Sequence, residues 1–197
     1  EFFSELMRGI DQVAGEHSLH LLVSSYHGHP QEQGAALRAM RGRVDGLLVM
    51  SPYMDAPAAL DDSLPLVLIN SQCASEGVAS LGVDNYGGAF AMVEHLVMGG
   101  HRRIAFIAGP SDNFDAHERL RGYRDALARF APEAEPWIVA GDFDEASGHR
   151  AGLALLEASH RPEAVFAAND MMALGCLFAL SNAGVQVPGD IALAGFD

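Results

Sequence analysis

Lysine is absent from this chain: all 12 basic residues of its 197 are arginines, set against 26 acids, for a formal net charge of −14. A surface of that sign lacks the clustered positive charge that grips phosphates, so this segment does not itself bind nucleic acid through the backbone. The acidity reads as a solubility feature. Cysteine is scarce as well. Cys73 and Cys176 lie far apart without CxxC spacing, which speaks against a disulfide framework or a zinc site and for two buried free thiols. No apolar run approaches the roughly 18 residues of a membrane span. The catalytic signatures GxSxG, the P-loop and HExxH are all missing. His27 and His29 have no third ligand beside them, and the other histidines are scattered. The expectation is a chain with no metal, no cofactor and no catalytic activity.

What is there is a core-forming composition, 49% hydrophobic and 19% charged, enough for one domain or two small ones. Strand and helix patterns alternate. Phe2, Leu6, Ile10 and Val13 recur at helical spacing. Leu19 to Ser24 reads as a strand, Gln31 to Arg41 as a helix with Leu37 and Met40 inward, and Asp45 to Met50 as the next strand. A short helix near Ala56 to Asp61 precedes Pro65, which marks the start of a strand over Leu66 to Asn70. Ser80 to Val83 is a short strand. The following helix carries Met92, Val93, Leu96 and Val97 on one face. Strands then fall at 104–108, 137–141, 164–168 and 190–195, with helices near 115–130, 145–158 and 170–183 between them. Gly87-Gly88 is expected to let a helix approach its neighbour and Gly99-Gly100 to end it; Gly184 fits a helix C-terminus. Strict alternation implies parallel sheets with right-handed crossovers. Glu1-Phe2-Phe3 leads straight into a helical pattern, so the natural N-terminus is expected upstream.

In open parallel sheets ligands sit beyond the carboxyl ends of the strands. There the sequence places polar or aromatic residues repeatedly: Asn70, Asn113, Asp115 and Arg119 after Gly109-Pro110, Phe143, Asn169, Asp170 and Asp197. A guanidinium that donates to vicinal oxygens, carboxylates that accept from hydroxyls and flat aromatic faces together suit a polyol or a nucleobase. Each residue also has a purely structural reading. Asn169 or Asp170 would cap the next helix. Arg119 would pair with Asp115 one turn earlier. Phe2, Phe3 and Phe143 would be packing residues, and Asn70 a turn residue.

The segments RVDGLLVM (43–50), VDNYGGAFAMVEHLVMGGHRRIAFIAGP (83–110), RLRGYRDAL (119–127), GDFDEASG (141–148), AANDMMALG (167–175) and VPGDIALAGFD (187–197) resemble the effector-binding domain of LacI-family transcriptional regulators. The resemblance runs the length of the chain in the family's order. It implies an α/β fold of the type I periplasmic-binding-protein-like kind, two parallel-sheet subdomains flanking an effector cleft. The first would cover 1–84 without its first strand and the second 85–197, cut at the return crossover, with the DNA-binding headpiece outside this chain. By the same resemblance Phe2, Phe3, Asn70, Asn113, Asp115, Arg119, Phe143, Asn169 and Asp197 contact the effector. Asn70 stands where the family usually has an acid. The implied function is a non-catalytic cytoplasmic sensor that homodimerises and controls operator DNA through that headpiece. The implied effector is a sugar or sugar acid. A purine-responsive regulator and a periplasmic sugar-binding protein of a transporter are the alternatives.

Overall fold

The computed structural model describes residues 2–25, 30–50, 64–70 and 78–197. The chain forms two compact units, Glu1–Leu81 and Gly82–Asp197. In the first, helix α1 (Phe2–Glu16) and helix α2 (Pro30–Met40) precede strands β1 (Leu47–Met50), β2 (Leu66–Ile69) and β3 (Ala79–Leu81). Pro30 opens α2 at the one helical turn where a missing N–H costs nothing. The strands pair in parallel in the order β1-β2-β3, with Leu47 opposite Leu66 and Val67 opposite Ala79. Central β2 buries Leu68 completely. The strand anticipated over 19–24 does not form: residues 19–25 join no ladder, and Leu19, Leu22 and Val23 are exposed. Apolar composition favours an extended chain, but a strand exists only where a neighbour takes its N–H and C=O groups. The helix anticipated at 56–61 and Cys73 lie outside the described residues, as do His27 and His29.

The second unit runs α3 (Asn85–Met98), β4 (Ile104–Ala108), α4 (Phe114–Phe130), β5 (Trp137–Ala140), α5 (Glu145–Glu157), β6 (Ala164–Ala167), α6 (Asp170–Asn182) and β7 (Ala192–Ala194). Each helix begins on a short acid or amide that accepts from an N–H of its first turn: Asp84, Asn113, Asp144 and Asn169. Such caps occupy orphan donors and are each worth about 1 kcal/mol. The strands are parallel in the order β5-β4-β6-β7. The central pair, IAFIA and AVFA, is buried almost throughout, as continuous apolar runs require when both faces are covered. From β4 the chain steps one way to β5, then crosses back beyond β4 to β6 and β7. Right-handed crossovers place α3 and α4 on one face and α5 and α6 on the other, and these are the helix pairs in contact.

Phe106 stacks on Tyr123 with ring centroids 5.0 Å apart and meets Phe166 edge-on at 5.3 Å. The buried Tyr123 hydroxyl donates to the Ile104 carbonyl at 2.8 Å and accepts from the Trp137 N–H at 2.9 Å, so it bridges the starts of β4 and β5. Tyr123→Phe strands both backbone groups, and an unpaired buried polar group costs about 1–3 kcal/mol. Denaturant melts should therefore show a loss of about 2 kcal/mol; a change below about 0.5 kcal/mol would mean that water replaces the hydroxyl.

Candidate ligand-binding site

Where β4 and β6 lie side by side, the chain leaves the sheet in opposite directions, and the carboxyl ends of the two strands open a crevice. The ladder closes there with the Ala168 N–H donating to the Ile107 carbonyl at 2.9 Å. Arg119 reaches this point from the second turn of α4. Its Nη1 donates to the Ala168 carbonyl at 2.5 Å and its Nε to Asn85 Oδ1 at 2.7 Å. The guanidinium lies over the Phe196 ring, 4.1 Å from its centroid, with the Phe143 ring at 5.8 Å. A guanidinium has five N–H donors, so two internal bonds fix its plane and leave the Nη2 edge for a ligand.

The one-turn pairing of Arg119 with Asp115 is not made directly. Asn85 stands between them, accepting from Arg119 and donating through Nδ2 to Asp115 Oδ1 at 2.9 Å. Burial pushes the Asp115 carboxyl above its ordinary range, opposed by the Arg119 charge and the Asn85 hydrogen bond. Burial likewise lowers the Arg119 pKa from its ordinary value, opposed by the charges of Asp115, Asp197 and Asp170. One cation thus sits among three carboxylates, half-buried and incompletely neutralising them.

Phe143 is held in a conformation that bulky side chains rarely adopt, φ +61°, at a cost of about 1–3 kcal/mol. Two neighbours maintain it. Asn169 Nδ2 donates to the Phe143 carbonyl at 2.9 Å. The ring itself lies on Gly109, where an added Cβ would come 2.5 Å from Phe143 Cε1. Gly88 does the same for Phe196: a Cβ there would meet the ring at 2.8 Å. Gly88 therefore admits a ring beside α3, whereas Gly87 leaves room for the capping carboxylate of Asp84; neither serves the approach of a neighbouring helix expected of the pair.

The second unit thus brings Arg119, Asp115, Phe143 and Asn169 to one end of its sheet, with the charge of Asp197 acting on Arg119. Two of the amides are largely consumed by structure. Asn113 Oδ1 accepts from the Ala116 N–H at 3.0 Å, and Asn169 Oδ1 from the Met172 N–H at 2.9 Å. Asn70, in the first unit, ends β2 at φ +48°, its N–H donating to the Leu81 carbonyl at 2.9 Å. Phe2 and Phe3 belong to α1, and their side chains lie outside the described residues. The sequence reading missed Asn85 and Phe196. Asn85 is a polar residue on an apolar helix, and Phe196 directly precedes Asp197, but neither has a local periodic signal.

Among the described residues no group of three or more His, Cys, Asp and Glu is placed to hold a metal ion, and no helix is long and apolar enough to cross a membrane. Cys176 is a free buried thiol whose pKa burial pushes up to about 11, which leaves it inert as a nucleophile. A cavity of about 480 Å³ opens against Phe130, Pro132 and Trp137 at the amino ends of β4 and β5. Its arginines are already engaged, Arg102 by the Val97 carbonyl and Arg103 by Glu163. The converging chemistry is at the other end of the sheet.

Residues 93–197 match the family described as periplasmic binding protein-like domain. Along its full length the chain is 34% identical to the HTH-type transcriptional repressor CytR of Escherichia coli (strain K12), and it spans 59% of that repressor. It superimposes on a sugar-binding transcriptional regulator of the LacI family from Escherichia coli, solved with phosphate. The TM-score is 0.82 and the identity 30%, over 99% of this chain and 72% of that one. It also superimposes on the lac repressor dimer bound to operator and the anti-inducer ONPF, with a TM-score of 0.86 and 28% identity, over 98% of this chain and 69% of that one. The shared fold, the sequence identity along the whole chain and the family match agree: this chain belongs to the LacI family of transcriptional regulators, whose periplasmic-binding-protein-like effector-binding domain it carries.

Proposed function

We propose that the chain is the effector-sensing and dimerisation part of a cytoplasmic DNA-binding regulator, not an enzyme, and that its effector is a carbohydrate. The observation that carries this reading is Arg119, fixed in plane by Asn85 and Ala168 and stacked on Phe196 with one edge free. That edge donates to vicinal hydroxyls, Asp115 accepts from a third, and Phe143 offers an apolar face for a sugar ring. Asp115, Asp170 and Asp197 around one arginine favour a neutral sugar over a sugar acid, because a further anion would be repelled. Phe2, Phe3 and Asn70 are the contacts that the resemblance assigns to the first subdomain, proposed to end near Asp84. Effector binding acts by population shift, through its differential affinity for two states of the domain.

For the dimer, α6 divides its apolar residues. Met172, Cys176, Ala179 and Leu180 are core, whereas Met171, Leu174 and Phe178 are 41%, 54% and 58% exposed at helical spacing. A stripe of that kind on a C2 axis is self-complementary. With a net charge of −14, contact with operator DNA falls to a headpiece outside this chain.

Calorimetry with D-glucose, D-galactose, cellobiose, D-gluconate, D-glucuronate, adenine, guanine and hypoxanthine tests the effector class. Binding of a neutral sugar is the expected result; binding of purines alone would overturn it. Asp115→Asn separates binding from stability. Because burial raises the folded carboxyl above its unfolded value, the charge costs stability above the folded pKa, and the cost fades as pH falls through it. The variant should melt slightly higher than the natural protein at pH 7. The gap should close in acid, while sugar affinity falls about tenfold. A lower melting point at pH 7 would show that the carboxylate is a net stabiliser.

A further inference from the structure

We infer that Asn85 is a positioning residue that sets the ligand-facing geometry of both Arg119 and Asp115 and ties them to the chain segment joining the two compact units; this rests on the reading of Arg119 as the effector's partner.

Asn85 is the first residue of α3 and is 3% exposed, one of two buried polar residues among those described. Its amide is used at both ends. Oδ1 accepts from Arg119 Nε at 2.7 Å, and Nδ2 donates to Asp115 Oδ1 at 2.9 Å and to the Val83 carbonyl at 3.3 Å. The orientation of the amide is forced, because the flipped form would set its NH2 against the guanidinium and its oxygen against the carboxylate. A carboxamide joins a donor and an acceptor on one short rigid plane. Aspartate at this position keeps the acceptor and loses the donor, whereas alanine loses both.

The backbone adds the second half of the argument. The Asn85 N–H donates to the Val83 carbonyl at 2.9 Å, and Asp84 caps α3 by accepting from the Gly87 N–H at 2.8 Å. Val83 and Asp84 follow directly on the boundary between the units at Leu81 and Gly82. A ligand that pulls on Arg119 or Asp115 therefore pulls, through one side chain, on the segment whose torsions any relative movement of the units must change. A surface ion pair between Arg119 and Asp115 would offer no such link.

The test uses the full chain, isotope-labelled, as the natural protein and as the Asn85→Ala and Asn85→Asp variants. Two readouts need no ligand: the exchange protection of the Arg119 Nε–H by NMR, and the titration midpoint of the Asp115 carboxyl. Calorimetry with D-glucose, D-galactose and cellobiose is the third. In the natural protein the Arg119 Nε–H should exchange at least about tenfold more slowly than that of an exposed arginine such as Arg124. Asn85→Ala should abolish that protection. Asn85→Asp should keep it, because the acceptor remains. Both variants should move the Asp115 midpoint upward, since each removes a hydrogen bond to the carboxylate and aspartate adds a like charge. Sugar affinity should fall by about tenfold or more in Asn85→Ala, with a smaller loss in Asn85→Asp. Should Asn85→Ala fail to fold, the split response within Asn85→Asp, Arg119 held and Asp115 shifted, still decides.

An unchanged Asp115 midpoint in Asn85→Asp, or a protected Nε–H in Asn85→Ala, would overturn the inference. So would unaltered sugar affinity once both ligand-free signals had moved. If none of the three sugars binds the natural protein, the carbohydrate reading has failed, and the two NMR readouts still decide the positioning of Arg119 and Asp115.

Discussion

Arg119→Ala is expected to reduce sugar affinity at least about 100-fold, beyond detection for a weak ligand, and to lower the melting temperature as well. The first effect follows from removing the fork that faces the ligand, since a charged bidentate contact contributes about 3 kcal/mol. The second follows from the two internal bonds. Asn85 Oδ1 and the Ala168 carbonyl lose their donor, and Phe196 loses the cation over its face. Stranded acceptors cost about 1–3 kcal/mol each. Relief of the guanidinium's own desolvation offsets part of this, while Asp115, Asp170 and Asp197 lose their shared counter-ion. A net destabilisation of about 2 kcal/mol is expected, with the unit still folded. Arg119→Lys keeps the charge but not the fork, so affinity should fall while the carboxylates stay partly balanced. Calorimetry and thermal melts on both variants decide the matter. Natural affinity in Arg119→Ala would remove the arginine from the site, and an unchanged melting point would show that its internal bonds contribute nothing.

Gly175→Ala should be strongly destabilising in the second unit, conservative as the change is. In α6 a Cβ at Gly175 would run into the Glu145 carbonyl and come 2.7 Å from the His149 N, both backbone atoms of α5. Reciprocally, a Cβ at Gly148 of α5 would lie 2.5 Å from Met172 Cα, and one at Gly152 would lie 2.8 Å from Ala179 Cβ. The two helices touch backbone to backbone, so no side chain can swing aside. Alanine in a helix gains about 1 kcal/mol over glycine by propensity. Overpacking costs about 1–3 kcal/mol or more where the backbone must shift, and here it wins. A net loss of about 2 kcal/mol, roughly 4–8 °C at this chain length, is expected from a thermal melt. Gly9→Ala in α1, where nothing among the described residues lies within 4 Å of an added Cβ, should show the propensity gain alone. If Gly175→Ala were neutral, the close approach of α5 and α6 would not be required. Because α6 also carries Met171, Leu174 and Phe178, its displacement should weaken the proposed dimer in parallel.

The second unit was legible in its elements. β4 spans 104–108 as its apolar run predicts, and α4, α5 and α6 begin within a residue of the expected positions because Asn113, Asp144 and Asn169 stop the chain locally. The first unit was less so. Leu19 to Ser24 has the composition of a strand and none of its hydrogen bonds. Of the candidate site residues, Asn169 is at once the helix cap that its position suggested and the amide that fixes Phe143.

Periodicity, capping and turn chemistry act over a few residues, so the sequence alone determined where the helices and strands of the second unit lie, that the sheets are parallel, and that polar residues gather at the strand ends. It could not determine partners. Arg119 had a plausible neighbour four residues away in Asp115, yet its bonds go to Asn85, 34 residues back, and to Ala168, 49 residues on. Phe196 reaches it only because Gly88 leaves room beside α3. Such choices depend on which strands lie adjacent and how closely helices approach. These are set by burial summed over the whole unit, which no local pattern encodes, and the tertiary structure alone decided them.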